Sequence, residues 1–240
     1  MRIVQKFGGS SLANRERIEN AARRIAHSAR EGNQMIAVVS APGDTTDRLA
    51  KLGQEFPCAA SAREQDALLG AGEQISAALL ALALQSLGQR AVSLNAWQMA
   101  LRTDGHYADA VPLRLESTRI EQELAAGKIV VATGFQGLDG EGNLTTLGRG
   151  GSDTTAVALT ALLHADRCEI YTDVDGVYDR DPRLFPEAKR FERIGYEEMI
   201  DLARAGAQVL HLRSVEMAKA YRIPIYVRSS FRPGAGTVVE

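Results

Sequence analysis

Cysteine is scarce in this 240-residue chain, with 2 in all, Cys58 and Cys168. Neither sits in a CxxC or Cys/His spacing. A disulfide scaffold and a thiolate metal site are excluded, and two reduced thiols are expected. The 4 histidines, His27, His106, His164 and His211, are scattered and form no HExxH, so no metal site is expected. Neither sign of charge dominates: 28 basic residues face 30 acidic ones, a net charge of -2. That balance excludes affinities resting on a basic face, as for nucleic acid or an anionic membrane. The longest apolar run, 77–84, falls well short of the roughly 20 residues that span a bilayer. Met1-Arg2-Ile3-Val4-Gln5-Lys6 opens no signal-peptide apolar region. A cytoplasmic protein with small-molecule partners is expected. Three catalytic signatures are also missing: the Walker pattern, a GxGxxG after a strand, and GxSxG.

What is present is a 45% hydrophobic chain, long enough to bury a core without staples, and with no Pro/Ser-rich linker, low-complexity run or repeat. One domain over 1–240 is expected, with two lobes around a cleft. Apolar runs at 3–7, 35–40, 91–94, 129–133, 168–172, 223–228 and 237–239 predict strands. Helical spacing predicts helices over 14–30, 44–55, 63–87, 116–126, 153–164, 196–205 and 212–221. On 63–87 the apolar stripe reads as Leu68, Ile75, Leu79 and Leu82. Four glycines make 135–148 a loop or hairpin, and 173–186 reads as a loop. Strand and helix alternate through the first two thirds. The fold class is therefore α/β, a three-layer α/β/α sandwich around a mostly parallel sheet.

Four clusters fall where such sheets bind ligands, at the carboxyl ends of strands. Lys6-Phe7-Gly8-Gly9-Ser10-Ser11 leaves the first strand; its glycines let backbone N–H groups approach an anion, and Lys6 adds a point charge. Thr145 to Asp153 sets Arg149 among Gly148, Gly150 and Gly151 and opens into a helix that Ser152 or Asp153 can cap. Arg149 supplies a planar fork for a carboxylate or phosphate. Tyr171 to Tyr178, followed by Asp181-Pro182-Arg183, leaves another strand, and its carboxylates lack the alternation and closing Glu of a calcium loop. Ser40 to Asp47 places hydroxyls beside glycine, and Glu73 on an apolar stretch is suited to an ammonium.

Taken together with Gly72-Glu73-Gln74-Ile75-Ser76, Gly134-Phe135-Gln136-Gly137 and the segment 206–211, these motifs resemble the amino acid kinase superfamily. Within it they are most similar to the catalytic domain of aspartate kinases, in family order across essentially the whole chain. The resemblance implies phosphoryl transfer from ATP, with Mg²⁺, to the side-chain carboxylate of L-aspartate, a step toward lysine, threonine and methionine biosynthesis. It implies catalytic roles for Lys6 and Asp153. Ser40, Thr46, Glu73, Arg149, Gly150, Gly151 and Ser152 would hold the amino acid, and Lys6, Phe7, Gly8, Gly9, Ser10, Thr172, Asp173, Tyr178 and Arg183 the nucleotide. The amino-terminal part would be mainly the amino-acid site and the carboxyl-terminal part mainly the nucleotide site, with a homodimer as the assembly. Two features depart from the pattern: Gln208 stands where many relatives have Lys, leaving Arg183 or Arg213 as substitute cations, and no ACT regulatory domain is expected within these 240 residues. Glutamate 5-kinase, UMP kinase and a non-catalytic sensor are the alternatives.

Overall fold

The computed structural model describes residues 1–56, 61–182 and 184–240, so Cys58 and Arg183 lie outside the described residues. In chain order the first half runs β1 (Arg2–Phe7), a 3-10 turn (Gly9–Leu12), α1 (Arg15–Arg30), β2 (Gln34–Val39), α2 (Thr45–Gln54), α3 (Ala62–Leu69), α4 (Ala71–Ser86), β3 (Ala91–Leu94), α5 (Ala96–Met99), β4 (Leu101–Thr103), β5 (Pro112–Leu115) and α6 (Thr118–Ala125). The second half runs β6 (Ile129–Thr133), β7 (Gln136–Leu138), β8 (Leu144–Thr146), α7 (Gly151–Leu162), β9 (Arg167–Thr172), β10 (Arg193–Ile194), α8 (Tyr196–Arg204), α9 (Leu212–Tyr221), β11 (Ile225–Ser229) and β12 (Thr237–Val239).

An eight-stranded sheet in the order β10-β12-β11-β9-β1-β2-β6-β3 forms the centre. Its β11, β9, β1, β2, β6 and β3 are mutually parallel, and β12 runs antiparallel to β11. Strand alternation splits each apolar run between two cores. Val4, Ile36, Val38, Val130 and Ile170 face one side and pack with residues of α6, α7, α8 and α9. Ile3, Phe7, Met35, Val39 and Val131 face the other and pack with α1 and α4. Strands buried on both faces read as largely apolar runs, which is how the sequence shows them. The result is the three-layer α/β/α sandwich expected. A second, four-stranded sheet, β5-β4-β7-β8, lies beyond it and contains the hairpin expected at 135–148.

Two readings of the sequence need correction. The helix expected over 63–87 is interrupted at Gly70, and its apolar stripe faces outward: Ile75, Leu79 and Leu82 are exposed, while Gly72, Glu73, Ser76, Ala77, Leu80, Ala81 and Leu84 are buried. This helix is apolar nearly all round, so periodicity cannot choose its inner face. Small residues choose it: a Cβ on Gly72 would stand 2.6 Å from the Cβ of Ala41, a separation only glycine permits. By length and composition the same stretch, Ala62–Ser86, is apolar enough to cross a bilayer, contrary to expectation, although 44% of its most apolar window is buried in the fold. The short elements β4, β5 and α5 between 96 and 115 were not anticipated, because elements of three or four residues carry little periodic signal.

The two faces of α4 give a stability test on one residue type. Leu80 is fully buried and Leu82 is 61% exposed. Leu80→Ala is expected to cost about 2–5 kcal/mol and Leu82→Ala about 0.5 kcal/mol or less in urea denaturation. Equal losses would mean that the inner face has been misassigned.

Candidate active site

The parallel strands β1, β2, β6 and β9 end on one edge, and their exits touch one another. The Gly43 N–H donates to the Gly9 carbonyl (3.0 Å), and the Gly8 N–H to the Tyr171 carbonyl (3.3 Å). Gly134, after β6, is pressed between the Val39 carbonyl and the side chain of Ser152, where a Cβ would stand within 2.9 Å of both. The first turn of α7 is thereby seated beside the exits of β2 and β6.

Alternation along β1 sends Lys6 and Phe7 to opposite faces. Lys6 Nζ reaches Asp153 Oδ1 on α7 at 2.7 Å, with side chains 11% and 10% exposed. Oδ1 has no aligned hydrogen-bond donor, so the contact is chiefly Coulombic. Phe7 instead stacks on Tyr171, ring centroids 5.0 Å apart, deep in the α1 core. The Phe7 ring is thus turned away from Lys6. The Gly8 amide, expected to meet an anion, is engaged by Tyr171. Ser10 lies in the 3-10 turn and gives its carbonyl to Arg17.

Glu73 was read as suited to an ammonium from its apolar context, and the structure buries it at 2% exposure. Its Oε1 accepts from the Ala41 N–H at 2.8 Å. Its Oε2 has no partner, and neither do Gln136 Oε1, Ser76 Oγ and Thr133 Oγ1, all buried. Burial pushes the Glu73 carboxyl up to about 7, against partial relief from the Ala41 N–H and from Gln136. When Glu73 is ionised, its Oε2 and Gln136 Oε1 are buried acceptors without a geometrically formed hydrogen bond, which suits a group that brings several N–H bonds. Sequence reasoning quoted Gln136 and Ser76 inside motifs without giving them a role. Thr46, on the first turn of α2, and Ser40, after β2, are both half-buried at the same edge.

Helix α7 starts from Gly150, held in the left-handed region at φ 67°, and no side chain caps it. Ser152 and Asp153 are therefore not caps; both are buried within the first turn. Arg149 is exposed on the preceding turn, and no carboxylate among the described residues pairs with it. Gly150 packs directly on His211, the residue before α9.

The segment before His211 forms one wall of a cavity of about 620 Å³. Asp173, Val174, Gly176, Tyr178 and Arg180 line one side, and Gly206, Ala207, Gln208 and Val209 the other. This volume suits a nucleotide-sized ligand. Asp173 and Tyr178, expected at the nucleotide, both line this cavity. Thr172 does not line the cavity; its hydroxyl donates to Asp173 Oδ1 at 3.1 Å. Arg213 is no substitute for the lysine replaced by Gln208, because it is committed to Asp109 (2.7 Å) and to the carbonyls of Ala110 and Leu147. Among the described residues no three His, Cys, Asp or Glu gather into a metal cage. Cys168 is a buried free thiol, pushed up to about 12 by burial.

The raised Glu73 value makes a signed prediction. The folded protein holds this proton to higher pH than the unfolded chain, so stability falls as pH rises from about 4.5 to about 7 and is level above that. Relative to wild type, Glu73→Gln is expected to gain stability across that window, by on the order of 3 kcal/mol. Denaturation curves at a series of pH values measure it, and a pH-independent difference between the two proteins would contradict it.

Comparison with known proteins places this geometry. The chain is 49% identical to an aspartokinase of Geobacillus stearothermophilus over 238 residues, 99% of this chain and 58% of that protein. It thus spans somewhat more than half the length of the curated relatives it matches. It superposes on the aspartate kinase of Synechocystis with a TM-score of 0.89 and 47% identity, covering 100% of this chain and 39% of that one. Against E. coli aspartokinase III in complex with aspartate and ADP the TM-score is 0.91 at 28% identity, covering 100% of this chain and 64% of that one. The model of the amino acid kinase family matches residues 1–229. Strand exits meeting at one edge, an apposed lysine and aspartate, and a match over nearly the whole length lead to one assignment: this chain belongs to the amino acid kinase family.

Proposed function

We propose that this chain transfers the γ-phosphoryl group of ATP to the side-chain carboxylate of L-aspartate, giving 4-phospho-L-aspartate and ADP. The observation that carries this reading is the pair of buried, unpartnered acceptors, Glu73 Oε2 and Gln136 Oε1, on the edge that holds Lys6 and Asp153. An amino acid brings an ammonium for those acceptors and a carboxylate for Arg149. A nucleotide acceptor such as UMP brings no ammonium. The aspartokinases to which the chain is similar support the same substrate.

In this reading Glu73 takes the ammonium and Arg149 a carboxylate, with Ser40, Thr46, Gly150, Gly151 and Ser152 around the amino acid. The cavity beyond β9 takes the nucleotide against Asp173, Tyr178 and the wall at Gln208, with the phosphates directed to Gly8, Gly9 and Lys6. The amino-terminal part then serves mainly the amino acid and the carboxyl-terminal part mainly ATP. The attacking carboxylate is ionised at neutral pH, so no strong general base is needed. Catalysis is positioning plus charge stabilisation. Lys6 supplies positive charge at the transferring group, and Asp153 holds its head in place. Mg²⁺, when bound together with ATP, would supply further positive charge at the phosphate oxygens.

A coupled assay of ADP release tests the reading with aspartate, glutamate and UMP as acceptors, with and without Mg²⁺. Turnover is expected with aspartate and Mg²⁺. Faster turnover with glutamate or UMP, or binding of aspartate without ADP release, would overturn it. Lys6→Ala is expected to lower kcat about 100-fold or more while KM for aspartate stays within about three-fold. An unchanged kcat would remove Lys6 from the transfer step.

A further inference from the structure

We propose that Asp66 is a positioning residue for the amino-acid substrate, fixing the turn that bears Arg149 to the helix that bears Glu73. The inference rests on the aspartate kinase reading above. Asp66, on α3, is fully buried, and no Lys or Arg among the described residues pairs with it. Its carboxyl oxygens are met instead by three donors from two distant segments. The Thr146 N–H reaches Oδ2 at 2.7 Å and the Thr146 hydroxyl Oδ1 at 2.9 Å. The Ala108 N–H lies 2.9 and 3.1 Å from the two oxygens.

Both ends of this contact lead to the site. On the helix side, Glu73 follows Asp66 by seven residues, two helical turns, so the two share a face of the nearly continuous 62–86 helix. Gly70, between them, keeps right-handed helical angles, and its carbonyl accepts from Gln136 Nε2. On the other side, Thr146 ends β8 three residues before Arg149. Ala108, at φ 65°, lies against Gly148, where a Cβ would stand 3.1 Å from its carbonyl. Arg213 secures the far side of the same turn through the Leu147 carbonyl at 3.1 Å and Asp109 at 2.7 Å.

A buried carboxyl group is a costly way to seat a hairpin, and an apolar side chain would pack there more cheaply. What three directed donors add is register: they set the place of Thr146 along the helix, and with it the separation of Arg149 from Glu73. Displacing one binding group from the other weakens the amino acid's hold while leaving the nucleotide cavity untouched.

The test uses the full chain and four variants: Asp66→Asn, Thr146→Val, Thr146→Ser and the double Asp66→Asn/Thr146→Val. Asp66→Asn and Thr146→Val are each expected to raise KM for aspartate about ten-fold, with KM for ATP within about two-fold of wild type. Thr146→Ser keeps the hydroxyl and is expected to restore wild-type KM. The double variant is expected to fall short of the product of the single effects, because both act through one contact. The proposal is overturned if both KM values move together, if neither moves in a folded variant, or if Thr146→Ser behaves like Thr146→Val. Should Asp66→Asn fail to fold, the two Thr146 variants decide it. A wild-type chain that turns over no aspartate would instead defeat the activity reading itself, and this inference with it.

Discussion

The ion pair of Lys6 and Asp153 joins the end of the central strand β1 to the first turn of α7. Both charges are nearly withdrawn from water, and desolvation of such a pair offsets most of its attraction. Its consequence is therefore place rather than stability. Lys6 projects on the α7 side because the strand alternates, and Asp153 is there because Gly134 lets the helix start come within contact of the β2 and β6 exits. Removing either partner leaves the other charged and buried, which typically costs about 3–5 kcal/mol. A lysine head held this way has few alternative positions, and that is the condition for it to stabilise charge without reorganising.

Much of this arrangement was legible in the sequence for a single physical reason. Parallel strands covered on both faces are largely apolar, so β2 and β6 stand out as unbroken runs, while Gln5 and Lys6 interrupt β1 and Glu169 interrupts β9. Lys6 lies near the end of β1 and Asp173 just past β9, and those strand ends are what drew attention to them. Reading the first motif as a block did not separate Phe7 from Lys6. Strand alternation alone sends its ring away from Lys6, and that signal was available.

The residues missed or misjudged have no local signature. Asp66 sits in Arg63-Glu64-Gln65-Asp66, which reads as solvated helix surface, yet only Asp66 is buried. Its partners Ala108 and Thr146 are 42 and 80 residues away. The same holds for the inner face of α4, which is chosen by the fit of small residues against Ala41 and the sheet rather than by the period of its leucines. Tertiary contacts of this range leave no trace in spacing.

Glu73 connects these strands of argument. A carboxyl group buried with one partnered oxygen resists ionisation, and it stays costly until a donor arrives. In the proposed reaction that donor is the substrate's ammonium, whose charge draws the group toward its ionised form. Near neutral pH, binding is then coupled to release of the Glu73 proton. An acceptor without an ammonium leaves the group protonated or unpaired and gains nothing from it. In the proposed reaction, discrimination at this site thus arises from a cost built into the empty fold, which an ammonium relieves. In that reading the cost is recovered in full only when the turn at Arg149 and the helix at Glu73 meet the same molecule together.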